Sequence, residues 1–345
     1  MRRAWLFMTL ILVIAACTEP AEPEIPESIR LLAHDSFAEA VTPQTFAGFT
    51  AATGTEVEVI AGGDAGSMVN QAVLSKDNPL GDVMFGVDDT FLSRAIDAGV
   101  FLEHESSLLA SVVAGLHPGN QLVTPIDYGD VCINYDKAWF ETNQIPVPTT
   151  LDQLRDPLYA GTLTVEHPAT SSPGLAFMLA TIIEYGEEGW LGFWEDLETG
   201  GVKVVPDWNT AYYSDFVPYG GESAMVVSYA SSPPAEVVFA SEPIDEAPTG
   251  VIEAGCYRQV EYAGVLSGTL YPGAAGRLID FMLSVDFQET IPLTWFVFPA
   301  NRDAELPPVF TENTIMPANL ARFTPETIAA SRDAWIQQWV SVMEG

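Results

Sequence analysis

The chain is poor in basic residues. Its 345 residues include 13 Lys+Arg against 47 Asp+Glu, which gives a formal net charge of −34 at pH 7. A nucleic-acid partner is excluded, because binding a phosphate backbone needs clustered lysine and arginine and the sequence has no such cluster. The charge would suit a cationic ligand, but acidic surfaces also simply keep proteins soluble, so charge alone identifies no ligand.

Histidine is scarce too. None of the four histidines shows an i, i+4 pair or another metal-ligand spacing: His34, His104, His117 and His167. The sequence also has no Walker-type loop, no dinucleotide fingerprint and no defensible Ser-His-Asp arrangement. We therefore expect neither a metal nor a cofactor.

Long hydrophobic runs are absent, with one short exception near the start. Residues 4–14 are apolar and follow Arg2 and Arg3, a pattern too short for a membrane-spanning helix but typical of a signal peptide. The next segment, which ends Ala15-Ala16-Cys17, resembles the lipobox of bacterial lipoproteins, whose cysteine carries diacylglycerol. We expect a signal peptide at 1–16 and a Pro/Glu-rich tether at 17–28. The protein would be extracytoplasmic and anchored to the cell membrane by lipidated Cys17.

Only two cysteines besides Cys17 occur in the sequence, Cys132 and Cys256. Outside the cytoplasm an even pair of cysteines favours a disulfide over two free thiols. Since both cysteines fall near segments that we expect to be long strands, we predict that a Cys132–Cys256 disulfide ties those strands together.

From residue 28 onward, short apolar strands alternate with longer amphipathic helices, which predicts an α/β fold around a largely parallel sheet. Two segments, 122–137 and 257–266, are typical of longer strands set between two α/β blocks. Two such crossings indicate two lobes. We expect lobe 1 to comprise 29–128 and 262–305, lobe 2 to comprise 129–261, and 306–345 to be a C-terminal helical segment that packs on the lobes.

Five motifs, in this order and spacing, resemble the thiamine-binding component, periplasmic or lipoprotein, of bacterial ABC importers. They are His34-Asp35-Ser36-Phe37, Gly86-Val87-Asp88-Asp89, Ile126-Asp127-Tyr128-Gly129 with Asn134-Tyr135-Asp136-Lys137, Thr170-Ser171-Ser172-Pro173-Gly174-Leu175, and Ser228-Tyr229 with Ser232-Pro233. The resemblance implies a two-lobed type II periplasmic-binding-protein fold with two hinge-crossing strands. It also implies a monomer that captures thiamine, or its mono- or diphosphate, and delivers it to a membrane permease without turning it over.

The resemblance also implies a ligand site. Trp208 and Tyr229 would sandwich the flat cationic rings, since aromatic faces attract cations. Asp35, Asp64 and Asp88 would supply negative charge, and Ser67 with the turn at 170–172 would hold a phosphate at helix N-termini. The expected site residues are Asp35, Ser36, Asp64, Ala65, Ser67, Asp88, Asp127, Thr170, Ser171, Ser172, Trp208, Tyr213, Tyr229, Ser232, Trp295 and Phe296.

The sequence departs from the family pattern at several aromatic positions. His34 stands where the family usually has tyrosine, Pro234-Ala235 replaces a tyrosine, and either Trp295 or Phe296 could face the ligand. The aromatic cage is therefore thinner or rebuilt.

Two alternatives stay open at this point. Adjacent tyrosines such as Tyr212 and Tyr213 act as paired ligands in ferric-ion-binding proteins of the same fold. A thiamine-degrading enzyme would use Cys132 as nucleophile and Glu261 as base, although a disulfide accounts for Cys132 more simply.

Overall fold

The computed structural model describes residues 25–318, 320 and 322–345. The expected signal peptide, the lipidation site Cys17 and most of the tether lie outside the described residues. Within the described part of the chain, no helix combines the length and the apolar content needed to cross a bilayer.

Within the described residues, ten strands form one mixed sheet. They are β1 Ser28–Ala33, β2 Glu56–Ala61, β3 Val83–Asp88, β4 Phe101–Leu102, β5 Thr124–Asp136, β6 Leu163–Glu166, β7 Lys203–Val205, β8 Met225–Tyr229, β9 Thr249–Leu266 and β10 Phe298–Pro299. The order across the sheet is β2-β1-β3-β9-β5-β8-β6-β7, while β10 pairs with β5 and β4 pairs with β9.

The α-helices connect these strands and cover the sheet. They are α1 Asp35–Ala40, α2 Ala47–Thr53, α3 Ala65–Leu74, α4 Leu92–Asp97, α5 Lys137–Asn143, α6 Ser172–Thr199, α7 Pro233–Val238, α8 Pro272–Met282, α9 Val285–Gln288, α10 Ile291–Thr294, α11 Pro308–Asn313 and α12 Pro325–Met343. The alternation of strands and helices confirms the expected α/β class. The sheet is mixed and not largely parallel as expected, because its central strands β9 and β5 run antiparallel to each other and to their neighbours β3 and β8.

The long antiparallel pair of β5 and β9 lies at the centre of the sheet. On one side β1 pairs in parallel with β2 and β3, and on the other side β6 pairs in parallel with β7 and β8. We call the side with β1, β2 and β3 the first lobe and the side with β6, β7 and β8 the second lobe. The two crossing strands expected from the sequence are therefore present, and the expected residue boundaries of the lobes stay a prediction.

The second crossing strand differs most from its predicted boundaries, whereas the first, expected at 122–137, runs from Thr124 to Asp136. The second crossing strand, expected at 257–266, begins at Thr249, eight residues earlier. Gly250 and Gly255 interrupt the apolar pattern there, and Gly255 has a φ of +71°. This part of the strand is specified by pairing with β5 and not by its own β propensity.

The large aromatic side chains lie in the core of each lobe. Phe37, Phe85 and Leu278 are fully buried in the first lobe, and Trp194 is buried in α6 of the second. In the C-terminal segment, Trp339 of α12 contacts Trp194, with ring centroids 5.4 Å apart. Truncation of a buried tryptophan typically costs about 3–5 kcal/mol, so this contact fixes α12 on the second lobe.

The disulfide between Cys132 of β5 and Cys256 of β9 is present, which confirms the prediction. The two Cα atoms are 4.4 Å apart, and the cysteines are 124 residues apart in the chain. In the chain-entropy model, a loop of this length gives about 5 kcal/mol of stabilisation. The disulfide joins β5 and β9, the two strands that connect the lobes.

Candidate ligand-binding cleft

A cavity with a volume of about 610 Å³ lies between the two lobes. Small-molecule sites typically have volumes of about 300–1,000 Å³. Its wall contains aromatic, acidic and hydroxyl side chains from both sides. The lining residues are His34, Ser36, Glu39, Ala40, Thr42, Thr45, Asp64, Ser172, Pro173, Trp208, Asn209, Tyr212, Tyr213, Tyr229, Ser232, Ala235, Phe239, Glu261, Leu293, Thr294, Trp295, Phe296 and Val297.

Trp208 forms one wall of the cleft and is held by both lobes. Its indole Nε1 donates a hydrogen bond to Ser228 Oγ at 2.9 Å, and its backbone N–H donates to Asp64 Oδ2 at 3.1 Å. The ring stacks on Tyr212, with centroids 5.0 Å apart and planes 19° apart, and meets Tyr213 edge-on at 5.4 Å. A ring fixed in this way offers a preformed surface to a flat ligand.

Tyr229, at the end of β8, forms the adjoining wall. Its hydroxyl donates to Gln259 Oε1 at 3.3 Å. The ring packs directly over Gly129 of β5, where an added Cβ would lie 2.6 Å from Tyr229 Cδ1. The Trp208 and Tyr229 centroids are 6.5 Å apart with planes at 62°, so the two rings are not the parallel faces of a sandwich.

Trp295 and Phe296 both line the cavity, so the choice between them that the sequence left open does not arise. Trp295 Nε1 donates to Asp127 Oδ2 at 3.0 Å, and its ring meets Phe37 edge-on. Phe296 has a φ of +57°, in the left-handed region that non-glycine residues seldom adopt. Such backbone strain is concentrated at ligand sites.

His34, directly after β1, lies at the floor of the cleft. Its Nδ1 accepts a hydrogen bond from the Phe37 N–H at 3.2 Å and lies 2.8 Å from Ser36 Oγ. Its Nε2 lies 3.5 Å from Glu261 Oε1 of β9. Because Nδ1 is an acceptor, the ring directs a protonated Nε2 toward the Glu261 carboxylate.

His34, Glu261 and Asp127, which lie together at the floor of the cleft, shift one another's pKa values. Burial by itself lowers the pKa of His34, but the carboxylates of Glu261, Asp64 and Asp35 outweigh burial and raise it. Burial would raise the pKa of Glu261, but His34 and a hydrogen bond with Asp127 lower it. Burial and the charge of Glu261 raise the pKa of Asp127 well above its usual value. The carboxylate of Glu261 therefore raises the pKa of both His34 and Asp127.

The lobes also contact each other directly beside the cavity. Asp64 Oδ1 accepts the Ala65 N–H at 2.7 Å at the start of α3, while its Oδ2 accepts from Trp208 of the other lobe. Asn209 Nδ2 donates to Glu39 Oε2 at 2.9 Å. These bonds hold the lobes closed around the cavity.

The chain matches the family model of bacterial extracellular solute-binding proteins over residues 78–323. It belongs to that family. It is 30% identical to a thiamine-binding periplasmic protein of Salmonella typhimurium over 331 residues, 95% of this chain and 96% of the relative. A solved periplasmic thiamin binding protein superposes with a TM-score of 0.82 and 28% identity, covering 92% of this chain and 96% of that one.

Family membership confirms the two-lobed periplasmic-binding-protein fold and an extracytoplasmic location for this solute-binding protein. Iron-bound HitA from Pseudomonas aeruginosa also shares the fold, with a TM-score of 0.71, 20% identity, and coverage of 91% of this chain and 99% of that one. At this identity the second likeness concerns the fold alone.

Nine of the sixteen expected site residues line the cavity: Ser36, Asp64, Ser172, Trp208, Tyr213, Tyr229, Ser232, Trp295 and Phe296. They come from both lobes, as a ligand held between lobes requires. Their contact with a ligand stays a prediction.

The other seven lie beside the cavity or behind its wall. Asp35 accepts the Gly63 N–H at 2.8 Å, Asp88 accepts from Thr90 Oγ1 at 2.7 Å, and Asp127 lies behind Trp295. Three belong to the contact between the lobes, namely Ser67, Thr170 and Ser171. The N–H of Ala65 donates to Asp64 Oδ1 at 2.7 Å. These residues position their neighbours in the structure without lining the cavity.

Sequence reasoning did not place several cavity residues in the ligand site, including Glu39, Tyr212 and Phe239. It noted His34 only within a family motif, as a departure from the usual tyrosine, and Glu261 only as the base of an enzyme. The acidic pattern after β1 could have indicated Glu39, three residues beyond Ser36. The His34–Glu261 pair joins two distant parts of the chain, so no local pattern indicates it.

The enzyme alternative requires a free thiol at Cys132, and the structure has none there. Cys132 is fully buried and bonded to Cys256, so it has no free thiolate. The relatives named above are solute-binding proteins and not enzymes. This chain is therefore a binding protein.

The ferric alternative has little support in this solute-binding protein. Tyr212 is buried and donates to Glu236 Oε1 at 2.9 Å, whereas Tyr213 is half exposed. Burial raises the pKa of both phenols, which opposes the phenolate form that binds iron. Among the described residues, no cluster of three or more His, Cys, Asp or Glu side chains could hold a metal ion.

Proposed function

We propose that this protein captures thiamine outside the cytoplasm and delivers it to an ABC permease in the membrane. The observation that carries the proposal is the composition of the closed cleft, in which aromatic rings adjoin the carboxylates of Glu39, Asp64 and Glu261. Thiamine has a flat, permanently cationic ring, and each aromatic face contributes about 0.5–2 kcal/mol to a desolvated cation. The names of the relatives support the same ligand.

Within this proposal the two ends of the ligand meet different groups. Trp208, Tyr229 and Trp295 provide aromatic surface for the rings. Asp64 and Glu261 provide negative charge near the cation, and the hydroxyls of Ser36 and Ser232 can bond the polar edge of the pyrimidine. Asp35, Ala65, Asp88 and Asp127 then position these groups from behind.

The proposal extends to the termini and the assembly of the protein. Lipidation of Cys17 would keep the folded lobes near the membrane, within reach of the permease. The Pro/Glu-rich tether, expected at 17–28, supplies an extended spacer between lipid and fold. We expect the protein to act as a monomer, with one ligand between its two lobes.

Titration calorimetry with thiamine tests the proposal. We expect one ligand per chain, and Trp208→Ala should weaken binding by at least about tenfold, or about 1.4 kcal/mol, because the ring stabilises a desolvated cation. Trp139→Ala is the matched control, since Trp139 is half-buried on α5 and does not line the cavity. Unchanged binding in Trp208→Ala would contradict the assigned pose, and no binding by the parent would contradict the function.

A further inference from the structure

His34 is the only basic side chain among the described residues that line the cavity. The carboxyl groups in the same lining are Glu39, Asp64 and Glu261, and neither lysine nor arginine accompanies them. A cationic ligand in this cavity therefore meets one protein group that can carry a charge of its own sign. The protonation state of His34 decides how much of the nearby negative charge is left for such a ligand.

The imidazole ring of His34 is held in one orientation. It packs directly on Gly86 of β3, where φ is +91° and an added Cβ would overlap His34 Cδ2. The rings of Phe37 and Phe85 flank it, with centroids 6.1 and 5.9 Å from that of the imidazole. Since the ring has little freedom to turn, its two nitrogens keep separate surroundings.

The surroundings of the two nitrogens favour different charge states. Nδ1 caps α1 by accepting a hydrogen bond from the Phe37 N–H at 3.2 Å, which requires the lone pair that Nδ1 has only in the neutral ring. Nε2 is buried 3.5 Å from Glu261 Oε1 and has no hydrogen-bond partner among the described residues. The helix cap therefore favours the neutral ring, whereas the Glu261 carboxylate favours the imidazolium. On protonation, Nδ1 can donate instead to Ser36 Oγ, 2.8 Å away.

Carboxyl groups from both lobes lie around His34. They are Asp35 on α1, Asp64 before α3, Asp88 at the end of β3, Asp127 on β5, Glu261 on β9 and, from the second lobe, Asp207. Burial lowers the pKa of His34, and the charges of Glu261, Asp64 and Asp35 raise it. Asp88 and Asp127 act through Glu261, whose charge raises the pKa of both. A bound cation would draw on the same carboxylates as the imidazolium.

We propose that His34 is the proton-linked residue of the cleft: the cationic ring of thiamine replaces the imidazolium as the positive charge near Glu261, so binding releases a proton and affinity rises with pH. The proton leaves Nδ1 for solvent, and the neutral ring keeps its hydrogen on Nε2. Nδ1 then accepts from the Phe37 N–H, which is the arrangement seen in this closed structure. The inference rests on the proposed function, since it takes thiamine as the ligand.

Calorimetry of the mature protein with thiamine, from about pH 6 to about pH 8.5, tests the proposal. Thiamine itself is the probe, because the phosphate of an ester titrates near pH 6. We expect the affinity to rise at least threefold over this range. We also expect the binding enthalpy to differ between buffers of different ionisation enthalpy, because a proton is released. A smaller rise, no change or a fall in affinity would overturn the proposal and leave the proposed function standing. Absence of thiamine binding would overturn the proposed function, and the proposal with it.

Substitution of His34 tests which group releases the proton. His34→Asn keeps an acceptor that can cap α1 and removes the titrating ring, so its affinity should vary less than threefold over the same range. His104→Gln is the matched control, because His104 Nε2 also lies near a carboxylate, 3.0 Å from Asp280 Oδ1, but outside the cavity lining. This control should keep the full pH dependence of the parent.

The variant can contradict the proposal in a definite way. If a folded His34→Asn protein, checked by circular dichroism, still shows the rise, the proton comes from a carboxyl group such as Asp88 and the proposal is overturned. If that variant does not fold, NMR titration of the histidine side chains in the parent decides, with the other three histidines assigned by substitution with glutamine. Thiamine should then lower the pKa of His34, and an unchanged or raised pKa would overturn the proposal.

Discussion

Gly129→Ala should separate ligand binding from folding, because Gly129 lies directly under a wall of the cleft. An added Cβ would be 2.6 Å from Cδ1 and 3.0 Å from Cε1 of Tyr229. Atoms cannot remain at these distances, so either the ring rotates away from β5 or the strands separate. Overpacking of this kind costs about 1–3 kcal/mol.

The cost should appear in one of two measurements. If the Tyr229 ring moves into the cavity, thiamine affinity falls by roughly fivefold to hundredfold while the midpoint of thermal unfolding changes little. If the ring stays, the free energy of unfolding falls by about 1–3 kcal/mol instead. Calorimetry with thiamine and thermal unfolding followed by circular dichroism, on the same preparation, distinguish these outcomes.

A second glycine provides the control. Gly192→Ala in α6 adds the same methyl group where no heavy atom lies within 4 Å of the new Cβ. This variant should bind as the parent does and be slightly more stable, since alanine is favoured over glycine in helices. If Gly129→Ala matched the parent in both affinity and stability, the close packing of Tyr229 on β5 would be refuted.

Three further predictions concern pH, the disulfide and the membrane. The pKa of His34 in the folded protein lies above its ordinary 6.5. Its contribution to stability is therefore complete below pH 6.5 and is lost as the pH rises through the folded pKa. The melting temperature should fall above pH 6.5, and it should fall less steeply in His34→Gln. Glu261 has a lowered pKa and adds the opposite loss in acid, as pH falls below about its usual 4.5. Cys132→Ser should lower the free energy of unfolding by several kcal/mol, about 5 in the entropy model, and a thiol probe should label the unreduced parent at neither Cys132 nor Cys256. Cys17→Ser should move the protein from the membrane fraction to the soluble fraction, and retention in the membrane would contradict lipidation.

Much of the fold was predictable because the lobes are built from local signals. The strand Glu56–Ala61 shows β-branched alternation within its own segment, and the helix Pro325–Met343 shows apolar residues at helical spacing. The full length of α6, Ser172–Thr199, is less visible in the sequence, because the chain resumes helical structure after Gly186, whose φ is +69°. Gly186 interrupts the helical spacing in the sequence, but the residues after it, such as Trp190 and Trp194, still pack in the core.

The candidate site was only partly predictable, because local signals do not show which distant segments meet in the cleft. Trp208 could be identified because a tryptophan after Pro-Asp in a polar segment is poorly explained by core packing. The pair of His34 and Glu261 could not, because it depends on β1 and β9 lying on either side of β3 in the sheet. The bond from the Gly66 N–H to the Thr170 carbonyl oxygen depends on how the lobes close, which no single segment encodes.

Native mass spectrometry of the mature protein, mixed with equal concentrations of thiamine and ferric ion, tests the central claim most directly. The cleft is acidic and aromatic, and burial raises the pKa of Tyr212 and Tyr213, which opposes phenolate formation, so we predict an adduct of one thiamine per chain and no ferric adduct. An iron adduct without thiamine, or no adduct at thiamine concentrations that saturate a periplasmic thiamine-binding protein, would contradict the account.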